Sequence, residues 1–454
     1  MVLFLDSTLR EGGLFKQFPR KTNLEIARLA VETGADIIEL PLPYRTDESE
    51  TEELISRVRE VNPECTVILH CRAYEPDLEQ MKKFDVDGGA AYLAASDSHR
   101  KHKLHGMTKE DTEQRLLETA DILKGQNWNY SRATIEDASA LYLEDREFLL
   151  HLVSQLGKRD VMVSVPDTRG ILFPEQTQNF VQDLMKTGAK LAGHNHDDFS
   201  FANYNTALQA KGGFYEVHTT LMGIGDRNGI ADVFPTAMLL ETLGVSTKIR
   251  GDKAERVYRE FSAFTGVDLS FKHPLSEAAR SLSAGVHQTY PEGYFPESKL
   301  RQASIILRAS SNLSSKVVDK ILKDAGHELD TERVRDLANL LAKKALELGA
   351  DLTSDQMAEV ISRETGVELD PARISRYIGQ DQVCILVKMK PQSSSMEVKD
   401  WAIRQGGYRA NILYASPYDL VIFAPNYLDG KAFVDLLREK YRGEIENTET
   451  AITD

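Results

Sequence analysis

Val2-Leu3-Phe4-Leu5-Asp6-Ser7-Thr8-Leu9-Arg10-Glu11-Gly12-Gly13 opens the chain and decides how the rest is read. Four apolar residues, enough for a buried strand, stop at an adjacent Arg–Glu pair and a glycine step. An apolar strand that ends in charge and a flexible loop is what a parallel β/α barrel presents at its catalytic face. A surface ion pair after an edge strand is the competing reading. The choice is made far downstream, at Gly193-His194-Asn195-His196-Asp197-Asp198. Histidines two apart on a strand project from one face. With Glu11, His194 and His196 make a three-ligand set for a divalent metal (Mg, Mn or Zn) with positions left open for substrate.

Working outward, short apolar runs alternate with helical stretches up to about residue 255. The strand candidates are Leu3–Ser7, Ala35–Leu40, Thr66–Cys71, Gly89–Ala94, Ser131–Glu136, Val161–Val165, Lys190–His196 and Glu216–Leu221, with amphipathic stretches such as Thr22–Thr33 and Glu110–Leu123 between them. Eight βα units predict a closed TIM (β/α)8 barrel over residues 1–255, with an open doubly wound sheet as the structural competitor. Polar residues gather where these strands end: Arg10 and Glu11, Glu39, Arg72, then Arg132, Thr134 and Glu136, then Asp167 and Thr168, then His194 and His196.

From 256 to 378 the strand pattern gives way to helical spacing, as in Val334, Leu337, Leu341, Ala345 and Leu348 before the stop at Gly349. A further helix is announced by Thr353-Ser354-Asp355-Gln356, and a Gly/Ser/Pro-punctuated stretch from Ser281 to Pro296 carries His287, Tyr290 and Tyr294. These residues are expected to cross to a partner subunit or to cover the barrel mouth. Residues 379–454 read as strand Val383–Met389, helix Met396–Arg404, strands Asn411–Ala415 and Leu420–Phe423, helix Gly430–Tyr441 and strand Glu446–Ile452. That β-α-β-β-α-β order predicts a ferredoxin-like α+β domain, of a kind that binds effectors or mediates dimerisation.

Composition narrows the function classes. A net charge of -15 and a pI near 5.3 argue against a nucleic-acid or anionic-membrane binder. Cys65, Cys71 and Cys384 show neither paired nor metal-knuckle spacing, which suits a reduced cytoplasmic compartment. The chain enters a strand at once, so no secretory leader is expected, and no apolar run approaches the length of a membrane span.

Three further features carry chemistry. Gly223-Ile224-Gly225-Asp226-Arg227-Asn228-Gly229 follows the last barrel strand, where barrels often hold anions, although a purely structural turn reads equally well. Arg10, Arg72 and Arg132 can clamp carboxylates bidentately, or pair internally with Glu39 or Glu136; at least one of the three is expected to be structural. The basic run His99-Arg100-Lys101-His102-Lys103-Leu104-His105 reads as a solvated loop or as a landing place for an anionic cofactor tail.

Taken together, these residues carry a resemblance. Asp6-Ser7-Thr8-Leu9-Arg10-Glu11-Gly12, His194-x-His196, Asn205 and the glycine run closing on Ile230 resemble the DRE-TIM metallolyases, which include homocitrate, isopropylmalate and citramalate synthases. The glycine run looks most like homocitrate synthases, and the likeness extends to Ala284-Gly285-Val286-His287. It implies metal-dependent Claisen condensation of acetyl-CoA with a 2-oxo acid and release of CoA. By that resemblance Glu11, His194 and His196 hold the metal, and Arg10 stabilises the developing negative charge. Arg132 and Thr168 match positions that take the keto-acid carboxylate; Thr134, Glu39, Arg72 and Tyr74 complete the expected substrate set. His287, which the family delivers from a neighbouring subunit of a homodimer, belongs to the base system with a tyrosine (Tyr290 or Tyr294), and Glu136 is carried as a further catalytic candidate.

Departures bear on the acceptor. Gly13-Leu14 stand where the family has Glu-Gln, Tyr74 and Ala90 where homocitrate synthases carry a His and an Asp, and Ala192 where a Glu precedes the first ligand histidine. Lost polar groups weaken recognition of a distal carboxylate, because a buried anion needs partners. Oxaloacetate therefore stands beside 2-oxoglutarate as acceptor. Aldolases or acyl-CoA lyases of the same barrel superfamily, and a silent metabolite sensor, are the alternative functions. Tyr418-Asp419-Leu420-Val421 and Glu446-Asn447-Thr448-Glu449-Thr450 resemble the ACT-like, amino-acid-sensing domain of leucine-responsive-type regulators, which implies an amino-acid effector.

Overall fold

A computed structural model describes residues 1–44, 47–291, 305–375, 377–378, 383–391, 393–405, 409–412, 418–424 and 427–452. Eight parallel strands close a barrel in chain order: β1 (Leu3–Asp6), β2 (Ile37–Pro41), β3 (Thr66–Arg72), β4 (Gly88–Ala94), β5 (Tyr130–Glu136), β6 (Met162–Ser164), β7 (Leu191–Gly193) and β8 (Glu216–Thr219). Closure is made by β1 against β8, with Leu3 opposite Glu216 and Leu5 opposite His218. The expected barrel is therefore the fold, and the open sheet is excluded.

The interior has two parts. Leu5, Ile37, Ile68 and Ala90, with Tyr130 packed on them, make a small apolar plug inside the barrel. Beyond the plug the inward positions turn polar: Glu39 on β2, His70 on β3, Arg132 on β5 and Glu216 and His218 on β8 are all buried. The larger apolar cores lie outside the strands, where the helices pack, for instance Leu116, Ile135, Leu152 and Phe180 on one side and Ile38, Val58, Leu69 and Leu78 on the other.

Two local expectations are corrected. The flexible loop after β1 is a helix, α1 (Thr8–Phe15), so Arg10 and Glu11 sit on its first turns. The Asp6 side chain accepts from the Thr8 backbone N–H at 2.9 Å, and Glu11 lies in the positive first turn. Gly12 is there for closeness: a Cβ on it would stand 2.6 Å from Ile224 Cδ1. The seventh strand also stops earlier than expected, at Gly193; His194 and His196 follow it in extended chain, where His196 bridges to Ile230.

The barrel lies in a first compact unit, which includes Met1–Val257; a second begins at Tyr258. Its two-residue strands β9 (Ser281–Leu282) and β10 (Ile306–Leu307) pair in parallel. Helices Ser315–Asp324, Thr331–Leu348 and Ser354–Thr365 bury Val318, Leu341, Met357 and Ile361 in a core of their own. Gly349 stops the long helix in the left-handed conformation (φ 67°), and Thr353 caps the next with a full capping box. The final strands are β11 (Val383–Met389), β12 (Arg409–Ile412), β13 (Leu420–Ala424) and β14 (Ile445–Ile452), antiparallel in the order β12-β13-β11-β14. Helices Ser395–Arg404 and Tyr427–Lys440 supply the rest of the β-α-β-β-α-β order. The predicted strand Asn411–Ala415 runs past Ile412 into residues outside the described set. Among the described residues no helix is long and apolar enough to cross a membrane.

Candidate active site

Barrel closure brings Glu11, from α1, together with His194 and His196, just past β7. All three are buried and their ligand atoms lie within 4.8 Å of one another. His194 Nε2 stands 3.5 Å from Glu11 Oε1, and the two imidazole centroids are 5.3 Å apart. Glu11 Oε2 and His196 Nδ1 are buried with no hydrogen-bond partner among the described residues. Unpaired polar atoms are costly to bury, so their convergence is the signature of a ligand. Burial pushes both imidazoles below their ordinary pKa, His194 far below with Arg10 adding to the effect. Neutral imidazole is the form that binds metals. The donor set of two neutral imidazoles and a carboxylate fits a divalent cation.

Arg10 lies beside this cluster. Its Nη1 is 2.6 Å from Glu11 Oε1 and its Nε donates to Glu39 at 2.5 Å. Glu39, fully buried, also accepts from Ser7 Oγ at 2.6 Å and from Arg132. Burial alone would raise the Glu39 carboxyl; Arg10 and Arg132 outweigh it and hold the group well below its ordinary range. Glu39 therefore organises two cations rather than waiting for a substrate.

The glycine run is built around contact. Gly229 adopts φ 82°, and a Cβ there would come within 1.9 Å of the Gly223 carbonyl oxygen. A Cβ on Gly225 would lie 3.2 Å from Gly229 Cα and 3.4 Å from Glu11 Oε2, so the turn rests against the Glu11 carboxylate. Arg227 is locked to Asp198 at 2.8 and 2.9 Å, to Asp226, and to the Thr168 carbonyl at 2.7 Å. The loop's charges tie neighbouring strand ends together.

The other sequence candidates scatter. Arg132 is 1 % exposed, with one terminal nitrogen on Glu39 and the other facing Tyr130, Glu216 and His218. Thr134 Oγ1, and Ser164 Oγ opposite it in register, are buried without hydrogen-bond partners among the described residues. Thr168 Oγ1 accepts from the Asp137 N–H at 2.9 Å. Glu136 takes Lys103 on both oxygens at 2.6 Å. Arg72 makes a bidentate pair with Asp77 and lies over the Tyr44 and Tyr74 rings at 4.8 and 5.5 Å, a rim fastening. In the basic run, Arg100 and Lys103 are spent on internal partners. His287 occupies a short turn, His287–Thr289, in the second unit; Tyr290 beside it is exposed and Tyr294 lies outside the described residues.

Three buried site residues were not singled out from sequence: His70, Glu216 and His218. Glu216-Val217-His218 has the same period-two spacing as His194-Asn195-His196, and that spacing was the available signal. Ala192, where the resembled family has a glutamate, pairs in register with Glu216, so a carboxylate is present one strand over.

Comparison with known proteins places the chain among relatives. The 2-isopropylmalate synthase of Sulfurisphaera tokodaii is 30% identical over 380 residues, covering 79% of this chain and 94% of that protein. The homocitrate synthase of Sulfolobus acidocaldarius is 30% identical over 293 residues, covering 62% of this chain and 61% of that one. Among solved structures, the HMG-CoA lyase of Bacillus subtilis superposes with a TM-score of 0.51 at 17% identity, over 60% of this chain and 96% of that one, which speaks for the fold. The HMGL-like family model matches residues 1–259, more than half the chain and the whole of the barrel, and this chain belongs to that family.

Proposed function

We propose that this protein is an acyltransferase that condenses acetyl-CoA with a 2-oxo acid in a metal-dependent Claisen reaction. The carrying observation is the buried Glu11, His194 and His196 set with Arg10 against it, in a chain whose relatives include 2-isopropylmalate and homocitrate synthases. In the reaction a base takes a proton from the acetyl methyl group. The resulting carbanion bonds to the keto carbon, the keto oxygen takes a proton, and water cleaves the thioester to release CoA. A divalent cation at the three ligands would polarise the keto carbonyl.

Arg10 is held by Glu11 and Glu39 with N–H groups to spare, and it donates to the oxyanion that develops. Thr134 and Ser164 offer uncommitted hydroxyls to the bound acid. His287 serves as the proton-abstracting group of an oligomer, a reading supported by the Ala284-Gly285-Val286-His287 likeness. The ferredoxin-like order of β11 to β14 supports an amino-acid-binding regulatory role for the last domain.

Thiol release from acetyl-CoA by the purified protein with Mg or Mn tests the reading, across 2-oxoglutarate, oxaloacetate and branched 2-oxo acids. Release that requires one acid supports the synthase and names its acceptor. A protein that cleaves acyl-CoA hydroxy acids and condenses none would be a lyase.

A further inference from the structure

Beneath the three-ligand cluster, the two β8 residues missed from sequence form a chain of contacts. Glu216 Oε1 lies 2.8 Å from His218 Nε2, and His218 Nδ1 lies 3.3 Å from His194 Nδ1. His194 Nε2 then faces Glu11. All four residues are buried, Glu216 completely. Resting on the metal-site reading above, we infer that His218, oriented by Glu216, is a positioning residue that fixes the His194 tautomer, so that Nε2 presents a lone pair to the cation.

The proton assignment follows from the competing contacts at His218 Nε2. A carboxylate oxygen sits there at 2.8 Å and demands a donor; Arg132 Nη1 sits at 3.1 Å and demands an acceptor. Nε2 satisfies one of them. Arg132 has other acceptors, since Nη1 also reaches Glu216 Oε1 and Tyr130 Oη at 3.4 Å, and its second terminal nitrogen is on Glu39. The shorter contact therefore carries the proton, and Nε2–H donates to Glu216. His218 Nδ1 is then an acceptor, which requires His194 to carry its proton on Nδ1. The consequence is that His194 Nε2 and Glu11 Oε1, 3.5 Å apart, are both lone-pair donors facing each other. Arg10 Nη1, 2.6 Å from Glu11 Oε1, relieves only the carboxylate, so the His194 Nε2 lone pair is left for a cation.

Groups behind a metal ligand tune affinity by roughly 10–100-fold. The test is Mn2+ binding to the full chain by calorimetry, for the parent, His218→Leu and His218→Gln. Leucine fills the space without an acceptor, whereas glutamine can turn its carbonyl oxygen toward His194 Nδ1. A loss of at least roughly 10-fold in His218→Leu, with most of it recovered in His218→Gln, is expected. Thermal melts of both variants check that they are folded. Leucine binding as tightly as the parent overturns the inference, and so does an equal loss in both variants, which would mean that packing and not the acceptor matters. Neither outcome touches the proposed condensation. A parent that binds no Mn2+ would instead remove the metal site and this inference together.

Discussion

Arg132 and Glu39 form an ion pair inside the barrel, 1 % and 0 % exposed, between strands β5 and β2. Neither charge would be stable there alone. Glu39 is shared with Arg10 and Ser7, and Arg132 also reaches Glu216, so the polar layer is satisfied as a network. Removing one partner of such a pair strands the other and costs about 3–5 kcal/mol. Glu39→Gln is expected to lose that much stability in urea unfolding. An unchanged midpoint would mean that the network does not hold the barrel interior.

Ligand removal separates metal binding from folding. His196 has no partner on Nδ1 among the described residues, so His196→Ala should leave the melting temperature nearly unchanged. It should weaken Mn2+ binding by more than roughly 100-fold, beyond what an outer-sphere change does. Calorimetry on the variant gives both answers. Chelation of the parent should abolish thiol release, and added Mn2+ should restore it.

Arg10→Lys keeps the charge but not the fork that reaches Glu11 and Glu39 together. Turnover should fall by about 10²–10³, the usual cost of one lost oxyanion donor, with the KM for the 2-oxo acid changed much less. A fall in kcat/KM caused by KM alone would assign Arg10 to ground-state binding.

Asp6 predicts a pH dependence. Burial raises its pKa from 3.8 to about 7, against the lowering effect of its hydrogen bonds to Thr8, with Glu39 and Asp232 adding to the rise. Between those values the folded chain keeps a proton that the unfolded chain has released. Stability contributed by this group therefore falls as pH rises through the window, by about 4 kcal/mol in all. Asp6→Asn retains an acceptor for the Thr8 N–H and removes the penalty. It should be more stable than the parent at pH 8 and show a flatter stability profile from pH 4 to 7. Parallel profiles would refute the assignment.

Gly229→Ala places a Cβ at φ 82° against the Gly223 carbonyl. Strain of about 1–3 kcal/mol is expected, with weaker Mn2+ binding because the turn rests on Glu11. Gly13→Ala, which lies within α1 and meets nothing within 4 Å, is the control: it should leave Mn2+ binding unchanged and raise stability by up to about 1 kcal/mol.

The barrel was legible because each strand is a short apolar run that ends in polar residues, and eight such runs leave one closed solution. His194 and His196 were legible through their spacing, and Glu11 through its place at the end of β1. The helix α1 was misread as a loop because Gly12-Gly13 looks like a turn; only the packed structure shows Gly12 present for the approach of Ile224.

Arg132 and Arg72 look alike in the sequence, each an arginine near a strand end. One is buried in a charge network and the other is clamped to Asp77 on the rim. Strand periodicity tells which face a residue points to, and that much the sequence alone determined. Which charges meet across the interior depends on closure, which sets Glu39, Arg132 and Glu216 from three distant strands within reach of one another. The local pattern of β8 likewise says nothing of its contact with His194, 24 residues earlier in the chain. Only the tertiary structure decided those contacts, because burial and partner, rather than residue type, set what each charge is for.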